Sequence, residues 1–170
     1  VRDGGVVATF TNSEGPGGNI VVRASERFAV LGEELNPEQG SDPLRSSLLT
    51  STAAAGDAGD VVIDASRVRI AGGGQVLARS DGSGHAGLIE ITGHNAVERV
   101  GRSSLGMSSR MSAEGNDVGR AGSITIETPT LTVDDASINS SSGGSIIEDV
   151  VYDEDDETGF AFFDRQHLLD

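Results

Sequence analysis

Glu90 and Asp64 are the residues of this chain whose type and spacing come nearest to a catalytic pair. In a stack of similar strands, the outward positions of successive copies are Val21, Val62, Glu90 and Thr125. Two residues further on come Arg23, Asp64, Thr92 and Glu127. Carboxylates on neighbouring copies are what glycoside hydrolysis needs, one as acid and one as base or nucleophile. The same pattern is met by an ordinary polar exterior on a repeat whose exposed positions drift, and that reading is preferred. No catalytic residue is assigned.

Other constellations are weaker. The run Asp153, Glu154, Asp155, Asp156 and Glu157 offers hard oxygen ligands suited to Ca²⁺, but lacks the alternation, central Gly and terminal Glu of an EF-hand loop. It reads as a solvated acidic segment. The Gly56-Asp57 and Gly59-Asp60 steps resemble calcium-binding nonapeptides, yet Asp60 is replaced by Asn19, Leu88 and Ser123 in the other copies. His85, His94 and His167 fall at a turn, a strand edge and the tail, and share no metal-ligand spacing. Gly72-Gly73-Gly74 is followed by no Lys-Ser/Thr and reads as a tight corner. Metal-binding and cofactor-binding residues are therefore assigned to none, and the chain is not expected to be an enzyme.

The elements that would position any such site come from a repeat. An apolar residue is followed eleven positions later by Gly in four places: Val7 to Gly18, Leu48 to Gly59, Val76 to Gly87 and Met111 to Gly122. After each Gly, apolar residues stand at the second and fourth positions: Ile20 and Val22, Val61 and Ile63, Ile89 and Ile91, Ile124 and Ile126. Alternation of this kind is the period of a strand with one buried face. The cleanest copy, Gly59 to Ala86, contains three alternating segments, around Val61–Ile63, Val68–Ile70 and Val76–Ala78. Three short strands per coil, in four to five stacked coils, predict an all-β parallel β-helix over residues 1–147. The coils are anchored near Gly18, Gly59, Gly87 and Gly122, with insertions at 32–47 and 101–110. Such insertions become loops on one edge, the first place to look for recognition, although tolerated surface drift is the preferred account. Residues 148–170 form an acidic and aromatic tail or cap, whose Phe160, Phe162, Phe163, Leu168 and Leu169 are expected to cover the last coil.

Composition narrows the function classes. The chain has 24 Gly and only 4% aromatic residues, which favours short strands and tight turns. Its net charge of −15 repels phosphate backbones; no basic stripe is visible along the sequence, so nucleic acid is not an expected partner. Cys is absent, which excludes disulfides and thiolate metal sites. No apolar run is long enough to span a membrane. The chain begins with Val1 inside a β-like run and is read as a piece of a longer polypeptide.

Several stretches carry a family resemblance. They are VRDGGVVATFTNSEGPGGNIVVRASERFAVLGEE, SSLLTSTAAAGDAGDVVIDASRVRI and GGGQVLARSDGSGHAG. These resemble the repeats of filamentous-haemagglutinin-type exoproteins, above all the cyanobacterial copies. The matching elements are Val1–Gly4, Val7–Thr9, Gly15–Gly18 and Asn19–Phe28. The resemblance implies a right-handed parallel β-helix in a secreted or cell-surface, adhesin-like fibre. It implies export by two-partner secretion through an outer-membrane transporter, recognised by a domain outside these residues. Cell-surface glycans or proteins are the implied further partners. The alternative is a fragment of a carbohydrate-active lyase or hydrolase. The acidic tail departs from the family pattern, so no role carries over to it.

Overall fold

The computed structural model describes residues 1–34, 44–116, 118–142, 151–152 and 161–162. In chain order the strands are β1 (Val6–Thr11), β2 (Ile20–Leu31), β3 (Glu33–Glu34), β4 (Leu44–Arg45), β5 (Ser47–Thr52), β6 (Val61–Ala71) and β7 (Gln75–Ser80). There follow β8 (Ile89–Val100), β9 (Ser109–Gly115), β10 (Ile124–Glu127), β11 (Leu131–Asp134), β12 (Ala136–Ser142), β13 (Val151–Tyr152) and β14 (Ala161–Phe162). The chain passes back and forth between two parallel sheets. One is five-stranded, in the order β1-β5-β7-β9-β12. The other is seven-stranded, in the order β13-β14-β10-β8-β6-β2, with β11 also on β8.

The all-β expectation holds, but the right-handed parallel β-helix with three short strands per coil is not what forms. The two sheets are open rather than closed into a coil. The segments Val61–Ile63 and Val68–Ile70, expected as separate strands, are both parts of β6. Asp64-Ala65-Ser66-Arg67 contains neither Gly nor Pro to turn a corner. A β-bulge takes up the irregularity instead: two residues in β2 (Ser25, Glu26) and two in β8 (His94, Asn95) stand against the single Ser66 of β6. Only the last repeat divides as expected, into β10 and β11, where Pro129 supplies no N–H to a ladder.

The inward ladders follow the sequence register. Ile20, Val61, Ile89 and Ile124 are successive partners across the seven-stranded sheet, as are Val22, Ile63, Ile91 and Ile126. From the five-stranded sheet Leu48, Val76 and Met111 face the same core, all fully buried. Further along those strands the inward residues shrink to Thr50, Ala78 and Ala113. There the turn comes close: the Thr9 hydroxyl donates to Gly18 O at 2.6 Å, and that of Ser140 to Gly122 O at 2.6 Å. A core narrowing toward one side has little room for aromatic rings.

That turn explains the conserved interval within the chain. A Cβ on Gly59 would strike the carbonyl of Gly18, one on Gly87 that of Gly59, and one on Gly122 that of Gly87. A second column behaves alike, with Gly56 against Gly15, Gly84 against Gly56 and Gly119 against Gly84. Side chains complete the stacking between repeats. Asn19 Oδ1 accepts from Asp60 N–H, and Asp60 Oδ1 in turn from Leu88 N–H, both at 2.8 Å. Asp57 Oδ1 accepts from His85 N–H at 2.7 Å, and His85 Nδ1 from Arg120 N–H at 3.1 Å. On the opposite side, Gly72 and Gly73 turn the chain from β6 to β7 at φ +61° and +94°, the expected corner. In the shortened last repeat, Asp135 turns it alone at φ 48°.

Arg99 is the exception in the core. It occupies the inward position partnered by Ile70 and is fully buried. Its Nη2 donates to Ser109 O at 2.8 Å and to Ser137 O, while Nε and Nη1 have no partner among the described residues. Burial lowers its pKa from the ordinary arginine value to about 10. Replacing a buried charge by an apolar side chain of similar volume is often neutral or stabilising by about 1–4 kcal/mol. We expect Arg99→Met to be stabilising by at least about 1 kcal/mol in urea unfolding. The native state loses this proton near pH 10 and the unfolded state only at the higher pH ordinary for arginine, so native stability rises with pH above about 10. The advantage of Arg99→Met should therefore shrink above pH 10; a constant or growing advantage would contradict the buried-charge account.

Of the first insertion, β3 pairs antiparallel with β4, and residues 35–43 lie outside the described residues. The second is a compact loop. Ser103 Oγ accepts from Leu105 N–H and Met107 N–H, and Arg102 Nε donates to both carboxylate oxygens of Asp135 at 2.7 and 2.8 Å. In the tail, β14 runs antiparallel to β10, pairing Phe162 with Thr125. Phe160, Phe163, Leu168, Leu169 and the acidic run at 153–157 lie outside the described residues.

Candidate functional site

The outward face of the seven-stranded sheet carries the site. Arg23, Asp64, Thr92 and Glu127 are register partners on β2, β6, β8 and β10, as are Val21, Val62, Glu90 and Thr125. Glu90 is thus opposite Val62, and Asp64 opposite Thr92, which sets the two carboxylates diagonally across neighbouring strands. Asp64 is instead engaged by His94, whose Nε2 lies 2.8 Å from Oδ1. An ionised carboxylate can only accept, so the imidazole carries its proton on Nε2 in this pair.

The bulge delivers His94. Because β8 has two residues where β6 has one, His94 and Asn95 stand together opposite Ser66, and Asn95 Nδ2 donates to Ser66 Oγ at 2.7 Å. Arg23, Ala24, Ser25, Asp64 and His94 line a surface groove of about 410 Å³. It combines a guanidinium, a carboxylate, an imidazole and a hydroxyl, all open to solvent. Such a set suits a ligand rich in hydroxyl groups with an anionic substituent.

Beyond the bulge the outward positions turn basic. Arg27 and Arg67 are direct partners on β2 and β6, followed by Ala29 and Arg69. Arg69 is paired with Glu98 at 2.7 Å. Arg23, Arg27 and Arg67 form no ion pair among the described residues. The sequence showed no basic stripe because these residues come from copies about forty positions apart; register alone brings Arg27 beside Arg67.

The remaining candidates disperse. His85 serves the turn ladder, and His167 lies outside the described residues. Among the described residues no group of three or more His, Asp or Glu side chains is placed to hold a metal ion. No family model matches the chain, nor does any curated protein or solved structure. Among the described residues no helix is long and apolar enough to cross a membrane, which says nothing of β-barrels.

Proposed function

We propose that this chain is a non-catalytic structural and adhesive module of a secreted or surface-exposed exoprotein of the filamentous-haemagglutinin type. In this reading it holds a binding face away from the cell and contacts surface glycans or proteins. A domain outside these residues engages the outer-membrane transporter of a two-partner secretion system. The observation that supports the reading is the contrast between the two faces of one sheet. The inward ladders keep Ile or Val in every repeat, whereas the outward partners run Val21, Val62, Glu90, Thr125. A scaffold requires the first regularity and tolerates the second variation.

The Asp64–His94 pair in the groove favours a second reading, a carbohydrate-active enzyme. One experiment separates the two. The labelled chain is incubated with cells and with soluble polysaccharides, and both retention and chain length are measured. Saturable retention without shortening is the expected result. Release of reducing or unsaturated ends that stops in Asp64→Ala would install the enzyme reading.

A further inference from the structure

We infer that the outward face around the bulge binds an acidic polysaccharide, with Arg23, Arg27 and Arg67 holding its anionic groups. This rests on the adhesive reading and names the ligand class that face would take. Two like charges in direct register on neighbouring strands, about 4.8 Å apart, repel each other. Arg27 and Arg67 stand in this relation, with no carboxylate paired to either among the described residues. An anion placed between them removes the repulsion and accepts from two guanidinium forks, each able to bind a carboxylate or sulfate through two parallel hydrogen bonds. Arg23 offers a third cation on the other side of the bulge, beside the groove.

The groove itself argues for a sugar rather than another polyanion. Ser25, Asp64 and His94 line it, and Asn95 and Ser66 stand at the same bulge. Hydroxyls, an amide and a carboxylate acceptor match sugar hydroxyls. No Phe, Tyr or Trp stands among the described outward positions of β2, β6 and β8 as a stacking platform for bases.

The test measures binding of the full chain and of the Arg27→Ser/Arg67→Ser double variant to immobilised polygalacturonate, dextran sulfate, neutral dextran and single-stranded DNA. The wild-type chain should bind one or both acidic glycans and not neutral dextran. The double variant should lose about tenfold or more in affinity. Preference for polygalacturonate identifies the anion as carboxylate, and preference for dextran sulfate identifies it as sulfate. Both substituted side chains are exposed, so thermal unfolding without ligand should be unchanged or slightly raised as the repulsion is removed. That shift distinguishes lost ligand contacts from a damaged fold. Equal binding by the variant, equal binding of single-stranded DNA, or no binding to either acidic glycan would overturn the assignment. If the chain still adheres to cells in the last case, the adhesive reading survives; if adhesion is also absent, both fall.

Discussion

Ile63→Asp should abolish the folded state of the repeats around it, while Asp64→Ala one residue away leaves stability within about 1 kcal/mol of wild type. Ile63 is fully buried and lies in register between Val22 and Ile91, with apolar residues above and below it in the core. A carboxylate there has no cation or hydrogen-bond donor placed for it. Leaving a charge buried and unpaired costs more than about 4 kcal/mol, a large share of a domain's total stability of about 5–15 kcal/mol. Asp64 points outward, and its exposed pair with His94 contributes little. Urea unfolding followed by circular dichroism reads both. Similar losses in the two variants would refute the assignment of inward and outward faces.

The second large effect belongs to a residue with no side chain. Gly87→Ala should cost more than about 3 kcal/mol, because its new methyl would meet backbone on a neighbouring repeat rather than a movable side chain. The added Cβ would sit 2.6 Å from the carbonyl carbon of Gly59 and closer still to its oxygen. Relief requires one repeat to shift against the next, which disturbs the adjacent hydrogen bonds from Ala58 N–H to His85 O and from Val61 N–H to Leu88 O. Gly32→Ala is the contrast. Gly32 has φ +76° but open space around it, so only the local left-handed strain applies, about 1–2 kcal/mol. A larger loss at Gly32 than at Gly87 would show that turn conformation, not repeat contact, selects the anchoring glycines.

The sequence made the ladders legible because period-two alternation, repeated after a fixed Gly, specifies both the buried face and the register. Ile20 over Val61 over Ile89 needs no further information. The course of the chain between sheets was harder to read. Polar residues at Asp64–Arg67 look like a bend when a single copy is considered. A bulge becomes visible only by counting residues against the partner strand, where Ser25 and Glu26 oppose Ser66. Arg23 and Asp64 are legible as outward positions, but the rest of the site is not, for the same reason. His94 is the additional residue of that bulge, and Arg27 meets Arg67 through register across copies of unequal length. Arg99 sits in an inward position that alternation assigns to an apolar residue, and its neighbours Val97 and Val100 give no hint that a charge belongs there.

The ladder of Asn19, Asp60 and Leu88 has a mechanical consequence. Each of these contacts, like the hydrogen bonds between parallel strands, points along the direction in which the repeats are stacked. Tension applied along that direction loads the bonds end-on and a few at a time, so the stack yields like a zipper instead of resisting as a sheared block. With parallel-strand bonds at each junction, rupture forces should be low, and lowest at the last repeat, where the short β10 and β11 replace one long strand. A stack built this way extends and re-forms in small steps under load.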